Sequence, residues 1–358
     1  MSLIRFATRT HFAVRVLEDA LAEELRAREI RAPLIVVDDD GMACLPLVCD
    51  YLPVRVVPQV LQLDHASSAT RLTELIAPGP DRSNDYDALI GLGGKAALDF
   101  VRLPHRQVSQ AKGRAAECPI FVIPTLPGSV GLSPTASAIS SGAHYRAQQL
   151  VPDVVFCDPS LLHLAPPRKL ALAGMDTVVH CLEALLSDAW NPPADAMAYD
   201  GLWRAGRWLE RLVSDPQDAE ASREVLAAAL NGELASQKGA GALHALAHAF
   251  ERTSKTLREH GLFHGALIAA VVEFNAPAVP RQMIRAAEAL RIPEAQGLGT
   301  WLSDLAARLG LPQSLSKLSM TPLEIQTLAD HAASDYANRD NPRLATSADY
   351  AAMIEATM

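Results

Sequence analysis

Asp176 and His180 stand four residues apart in the run MDTVVH, a spacing that on a helix sets carboxylate and imidazole one turn apart on the same face. Such a pair can close on one ion. Its ordinary alternative is a side-chain pair on a solvated helix face. Met175, Val178, Val179, Leu182 and Leu185 make most of the surroundings apolar, however, and an acid withdrawn from water needs a partner. His244 and His248 repeat the spacing within a stretch otherwise made of Ala and Leu, and His260 and His264 repeat it again. These runs offer one carboxylate, three or four imidazoles and no thiolate. That mixed set suits Fe2+ or Zn2+ and argues against a structural zinc cage. No HExxH occurs, which disfavours a zincin protease. Glu183, further along the first run, reads as a hydrogen-bonding partner to a ligand and not as a ligand itself.

A different chemistry is suggested by the run from Ile90 to Asp99, IGLGGKAALD, a glycine turn between a strand and a helix. Glycines let the backbone approach an anion, and N–H groups at a helix start favour a phosphate. The run is not GxGxxG, and glycine turns at strand ends also serve purely structural purposes. A second loop, PTLPGSVGLSP from Pro124 to Pro134, leaves another strand end, where open α/β sheets bind ligands. A nucleotide site in the first half and a metal site in the second would together serve a metal-assisted hydride transfer.

The elements that must position these groups change character along the chain. VLEDALAEELRARE has apolar residues at helical spacing. APLIVVDDDG, PVRVVPQV, YDALIGLGG and CPIFVIPT are short apolar runs, with TRLTELIA a further helix between them. Such alternation predicts a parallel sheet covered by helices, an α/β Rossmann-like domain over residues 1–160. After Pro166 and Pro167 nearly everything has helical period, alanine is abundant, and β-branched residues are sparse. Residues 161–358 are therefore expected to form an all-α domain that carries the metal site. Trp190, Trp203, Trp208 and Trp301 sit at helix-compatible positions and read as packing residues, Trp190 being near enough to the ligand helix to line a pocket.

Composition bounds the possibilities. The 358 residues are 49% hydrophobic and 20% charged, an ordinary core and surface, and 32 basic against 41 acidic residues leave a net charge of -9. That balance counts against a nucleic-acid or anionic-membrane binder. No apolar run is long enough to span a bilayer. The 5 cysteines are scattered without CxxC, so a disulfide framework is not expected and a reducing cytoplasm fits.

Taken together, these motifs resemble the iron-containing (group III) alcohol dehydrogenases, a superfamily that includes glycerol dehydrogenase and dehydroquinate synthase. The resemblance runs from about residue 30 to the end. It is most specific in VPDVVFCDPSLLHLAPPRKLALAGMDTVVHCLEALLS, NPPADAMAYDG, GALHALAHAFE, HGALIAAVVEFN and NPRLATSADYAAMI. It implies a Rossmann-like domain followed by a helical one, with the active site between them. By the resemblance Asp176, His180, His244 and His264 are the metal ligands, His264 being preferred to His260 because the family's motif continues after it. His248 matches a non-ligand histidine near the nicotinamide, a candidate for proton relay or orientation. Gly93 and Gly94 would face the pyrophosphate, Lys95 could add charge to it, Asp99 would support the turn, and Thr125 would contact the nicotinamide side. Asp38 or Asp39 would accept from the adenosine ribose, and a carboxylate there favours NAD over NADP.

Two departures bear on the cofactor. The glycine loop carries Lys95 and Ala96 where the family has glycine and serine, and a glycine-specific backbone would be strained by lysine. The second loop has lost a glutamate and several hydroxyls of the family pattern. Asp176 itself distinguishes the chain from the maleylacetate reductase branch, where Asn is expected. The implied activity is a metal-dependent, NAD(P)-linked alcohol dehydrogenase or aldehyde reductase acting on a small alcohol or aldehyde, with a homodimer a common assembly. The alternatives are a lyase or cyclase of the dehydroquinate synthase type, or a homologue that has lost catalysis and binds a metabolite.

Overall fold

Six short segments, most of them continuous apolar runs, assemble into one parallel sheet. A computed structural model of the chain describes residues 8–63, 86–108, 118–133, 135–138, 143–146, 151–253, 262–293 and 296–358. The described residues divide into two compact units, the first ending at Ala165 and the second beginning at Pro166.

The first unit contains β1 (Arg9–Phe12), α1 (Leu17–Ala27), β2 (Pro33–Val37), α2 (Leu45–Asp50), β3 (Gln59–Gln62), β4 (Ala88–Gly93), α3 (Lys95–Val108), β5 (Ile120–Pro124), β6 (Thr135–Ala138), β7 (Ala143–Arg146) and β8 (Val154–Cys157). Six strands pair in the order β1-β8-β5-β4-β2-β3, and β6 and β7 form a separate antiparallel pair. Strands β2, β4, β5 and β8 are buried at every residue, which is why β2, β4 and β5 read as unbroken apolar runs. The edge strands β1 and β3 are more exposed. Neither β1 nor β8 stood out in the sequence. RTHF has a single apolar residue because one side of an edge strand meets no neighbour, and VVFC is short. The second apolar run forms a strand later than expected, at Gln59–Gln62, with Val54 and Val57 exposed ahead of it. Pro58 precedes β3, where its missing N–H costs the ladder nothing. The helix expected over TRLTELIA lies outside the described residues.

Register places the loops. Val37 pairs with Leu92, and Gly93 pairs with Pro124, so Asp38, Gly94 and Thr125 leave the sheet side by side. From β2 the chain passes to β3 on one flank and returns as β4 on the other. The strand order thus reverses between β2 and β4, and in open parallel sheets ligands bind outside the carboxyl ends of the strands at such a point.

The second unit is helical: α4 (Pro167–Leu186), α5 (Pro192–Ser214), α6 (Ala219–Ala235), α7 (Ala242–Thr253), α8 (His264–Asn275), α9 (Pro280–Leu290), α10 (Leu298–Arg308), α11 (Pro322–Ser334), α12 (Tyr336–Asp340) and α13 (Ser347–Glu355). Helix α4 starts on Pro167, a residue suited to a first turn, and is buried over most of its length. The long alanine-rich run that ends at Thr253 breaks into α6 and α7. Gly239 adopts φ 129°, and a Cβ there would lie 2.4 Å from that of Asp340, so this break requires glycine. Capping boxes at Thr321 with Glu324 and Thr346 with Asp349 start α11 and α13. Trp208 is buried as a packing residue should be, but Trp190 is 75% exposed and packs little. Among the described residues no helix is long and apolar enough to cross a membrane.

Candidate metal centre and nucleotide loops

Helical spacing does what the sequence suggests on α4: Asp176, His180 and Glu183 share one face. Asp176 and Glu183 are buried, and His180 is nearly so. Helix α7 brings His244 and His248, and α8 begins at His264, all buried. Asp176 lies at the middle of this group. Its Oδ1 is 3.1 Å from His264 Nε2 and 3.8 Å from His244 Nε2, and its Oδ2 is 3.7 Å from His180 Nε2. Ligand atoms of Asp176, His180 and His244 all lie within 4.8 Å of one another. The rings of His244 and His180 are 4.4 Å apart, and those of His244 and His264 5.8 Å. The donor set is one carboxylate oxygen and three imidazole nitrogens, which fits Fe2+ or Zn2+. His260 lies outside the described residues.

Glu183 organises the start of α7. Its Oε2 accepts from Gly241 N–H at 2.7 Å and from His244 Nδ1 at 2.5 Å, and its Oε1 accepts from Leu243 N–H at 2.7 Å and His244 N–H at 3.3 Å. The N–H of Ala242 goes to Asn341 Oδ1 at 3.1 Å. One buried carboxylate therefore caps a helix and accepts a hydrogen bond from the Nδ1–H of His244, which leaves Nε2 of that ring on the side of Asp176.

His248 faces a group the sequence did not reveal. Its Nδ1 is 3.1 Å from Asp335 Oδ1, the Tyr336 ring lies 5.6 Å away, and Arg252 Nη2 donates to Asp335 Oδ2 at 2.8 Å. The only local sign was an acid immediately before a helix start. That an imidazole 87 residues earlier in the chain shares the carboxylate has no sequence signature.

In the sheet unit the acid after β2 is used unexpectedly. Asp38 is buried, and its Oδ1 accepts from the N–H groups of Asp40, Gly41 and Gly94, each at 3.1 Å. Its Oδ2 accepts from Gly94 at 3.1 Å and Ala97 at 3.0 Å. Those donors fill about the four lone-pair sites a carboxylate offers. The ribose-acceptor expectation at Asp38 is thus corrected: that carboxylate is spent on the glycine loop, while Asp39 is exposed. For the same reason the N–H groups of Gly94 and Ala97 face an acid of the chain itself and not open space for a phosphate. Gly93 has φ 143°, and a Cβ there would fall 1.9 Å from Asp38 Oδ1, so this position needs glycine.

The expected strain at Lys95 does not arise, because left-handed non-glycine backbone occurs elsewhere and Lys95 is the first residue of α3. Its Nζ pairs with Asp99 Oδ2 at 2.8 Å. Asp99, fully buried, also meets Arg102, whose Nη1 donates to the carbonyls of Gly131 and Ser133 at 3.1 and 2.7 Å. Asp99 and Arg102, a buried i,i+3 pair, together pin the second loop. Thr125 is buried, donating its N–H to Gly93 O and its hydroxyl to Asp40 O, both at 3.0 Å.

Burial, joined by the charge of Asp40, pushes Asp38 from 3.8 up to about 6 against the pull of the Ala97, Gly94 and Gly41 N–H groups. Between those values the folded chain holds a proton that the unfolded chain has released. The stability this group contributes is therefore complete below pH 4 and is lost as pH rises through 6. Relative to Asp38→Asn, the wild-type unfolding free energy is expected to fall by roughly 3 kcal/mol over that window. Urea titrations at several pH values check this, and parallel profiles for the two proteins would contradict it.

Comparison with known proteins adds four findings. Residues 170–358 match the family model described as the Fe-containing alcohol dehydrogenase family, C-terminal. The chain is 28% identical to a 4-hydroxybutyrate dehydrogenase of Cupriavidus necator over 100% of both chains. It is 28% identical to a maleylacetate reductase of Sphingobium indicum over 67% of this chain and 65% of that one. Its fold is shared with a sulfoacetaldehyde reductase from Bifidobacterium kashiwanohense, solved in complex with NAD+, at a TM-score of 0.84, 17% identity, and coverage of 100% and 98%.

Proposed function

Because the chain belongs to the Fe-containing alcohol dehydrogenase family, we propose that it is a metal-dependent, NAD-linked oxidoreductase interconverting a small alcohol and its carbonyl compound. The observation that carries this reading is the gathering of His180, His244 and His264 around Asp176 in a buried, thiolate-free site. A divalent ion held there would act as a Lewis acid, and NAD would accept or return the hydride.

The chain's own residues do the rest. Asp176 supplies the one negative charge of the donor set, so net positive charge remains where an oxygen anion would develop. Glu183 holds the Nδ1 proton of His244 and fixes that ring. His248, edge-on to His244 with ring centroids 6.0 Å apart, is the group proposed to move the alcohol proton. For the nucleotide, the reversal point between β2 and β4 supports binding at the glycine loop. Gly93, Gly94, Lys95, Asp99 and Thr125 shape that loop, and exposed Asp39 is the proposed ribose acceptor. The acids at Asp38, Asp39 and Asp40 disfavour a 2′-phosphate, hence NAD over NADP.

The full-length match to a 4-hydroxybutyrate dehydrogenase makes 4-hydroxybutyrate a first substrate to try. Purified protein would be assayed for bound iron and zinc, and NADH absorbance followed with short primary alcohols, aldehydes and 4-hydroxybutyrate. One ion per chain and net NADH accumulation are expected. Stoichiometric metal in a protein that never binds or reduces NAD would overturn the proposal. Product release without NADH accumulation would indicate the lyase or cyclase chemistry instead.

A further inference from the structure

We propose that Asp335 is the positioning residue for His248, an inference that rests on the oxidoreductase reading only for its effect on rate. Asp335 is the N-cap of α12, where its Oδ1 accepts from Ala337 N–H at 2.9 Å, and an N-cap role alone would explain an acid here. Its burial and its other contacts exceed that role. The same Oδ1 meets His248 Nδ1 at 3.1 Å, Oδ2 meets Arg252, and both Asp335 and His248 are at least 97% removed from solvent.

An ionised carboxylate can only accept, so Nδ1 of His248 carries a proton, and in the neutral ring Nε2 carries the lone pair. Tyr336, the next residue, lies against the imidazole and limits its rotation. The carboxylate thereby selects one tautomer and one orientation for the ring beside His244. In a carboxylate–imidazole pair of this kind, loss of the correct tautomer slows turnover far more than it weakens the fold.

Two substitutions separate positioning from capping and from charge. Asp335→Ser retains a helix-capping hydroxyl but is too short to reach the imidazole. Asp335→Asn keeps an oxygen for both Ala337 N–H and His248 Nδ1 and gives up the charge and the acceptor of Arg252, which is 30% exposed and can turn to water. In zinc-loaded protein labelled with 15N-histidine, wild type and Asp335→Asn are expected to show His248 protonated at Nδ1, and Asp335→Ser a mixture of tautomers. With the substrate found in the panel above, Asp335→Ser should lower kcat by about a hundredfold with little change in KM, while Asp335→Asn stays within about tenfold of wild type. A single Nδ1-protonated tautomer in Asp335→Ser would overturn the proposal. So would an Asn variant as impaired as the Ser variant, because charge and not position would then be the cause. If wild type itself turns over no substrate, it is the oxidoreductase reading that fails, and the nitrogen spectra still decide the role of Asp335.

Discussion

Asp176→Asn is expected to strip the protein of stoichiometric iron or zinc and to slow turnover on the order of a thousandfold, while NAD binding persists. The substitution preserves shape and removes the one negative charge among three imidazoles. Neutral nitrogens still bind a divalent ion, but more weakly, and the amide presents donor hydrogens to His264 or His180, whose Nε2 atoms lie 3.1 and 3.7 Å from the present carboxylate oxygens. The Lewis-acid effect of a metal is worth several kcal/mol, and each 1.36 kcal/mol is a tenfold change in rate, which sets the scale of the loss. Metal analysis, NADH fluorescence titration and steady-state kinetics on one preparation check the three parts. Full metal occupancy and a rate within tenfold of wild type would show that Asp176 is not a ligand. Loss of NAD binding alongside the metal would show a collapsed fold instead.

The gathering of Asp176, His180 and His244 was legible in part because helix geometry is local. Asp176 and His180 sit on one helix, as do His244 and His248, and spacing alone says which side chains share a face. Spacing does not say which of two imidazoles on α7 turns toward Asp176 and which toward Asp335. That choice is made by Glu183 and Asp335, which come from distant elements and arrive only when the helices pack. The two loops at the strand ends were legible as turns, and the role of Asp38 in them was not. An acid after the second strand of a parallel sheet normally faces a ribose. Here the turn through Asp40 and Gly41 folds Asp38 inward, and burial in the register beside Gly93 commits it to backbone N–H groups. The lysine in the glycine loop looked strained only while the loop was assumed to keep glycine's backbone. Once α3 begins at Lys95, the residue is an ordinary helix start.

The fold shows the same division between local and non-local information. Central strands buried on both faces spell themselves out as apolar runs, as β2, β4 and β5 do. Edge strands do not, since β1 is recognisable only through its pairing with β8, which is 145 positions away at the Arg9–Val154 contact. The break between α6 and α7 was hidden for the opposite reason. Alanine and leucine continue on both sides of it, and only the left-handed backbone of Gly239 against Asp340 shows that the helix must stop.

Glu183 tests whether the support of a ligand can be separated from the support of the fold. In Glu183→Ala the N–H groups of Gly241, Leu243 and His244 and the Nδ1 of His244 lose their shared acceptor in a buried site. A buried N–H left without an acceptor costs about 1–3 kcal/mol, and several together are a large part of the 5–15 kcal/mol that holds a typical domain together. Metal affinity should fall by about 10–100-fold as His244 becomes free to turn. Glu183→Gln divides these effects. Its amide oxygen is best kept on the side of Leu243 and His244 N–H, because the NH2 group on the other side then opposes only one fixed donor, Gly241 N–H. His244 can adapt by accepting at Nδ1, but its proton must then move to Nε2, the nitrogen that would bind the ion. The Gln variant is therefore expected to keep more of the stability than the Ala variant and yet to lose metal affinity at least as severely. Thermal melts and competitive zinc titration read the two quantities separately. A Gln variant that binds zinc as tightly as wild type would mean that Glu183 serves the helix start and has no hold on the ligand nitrogen.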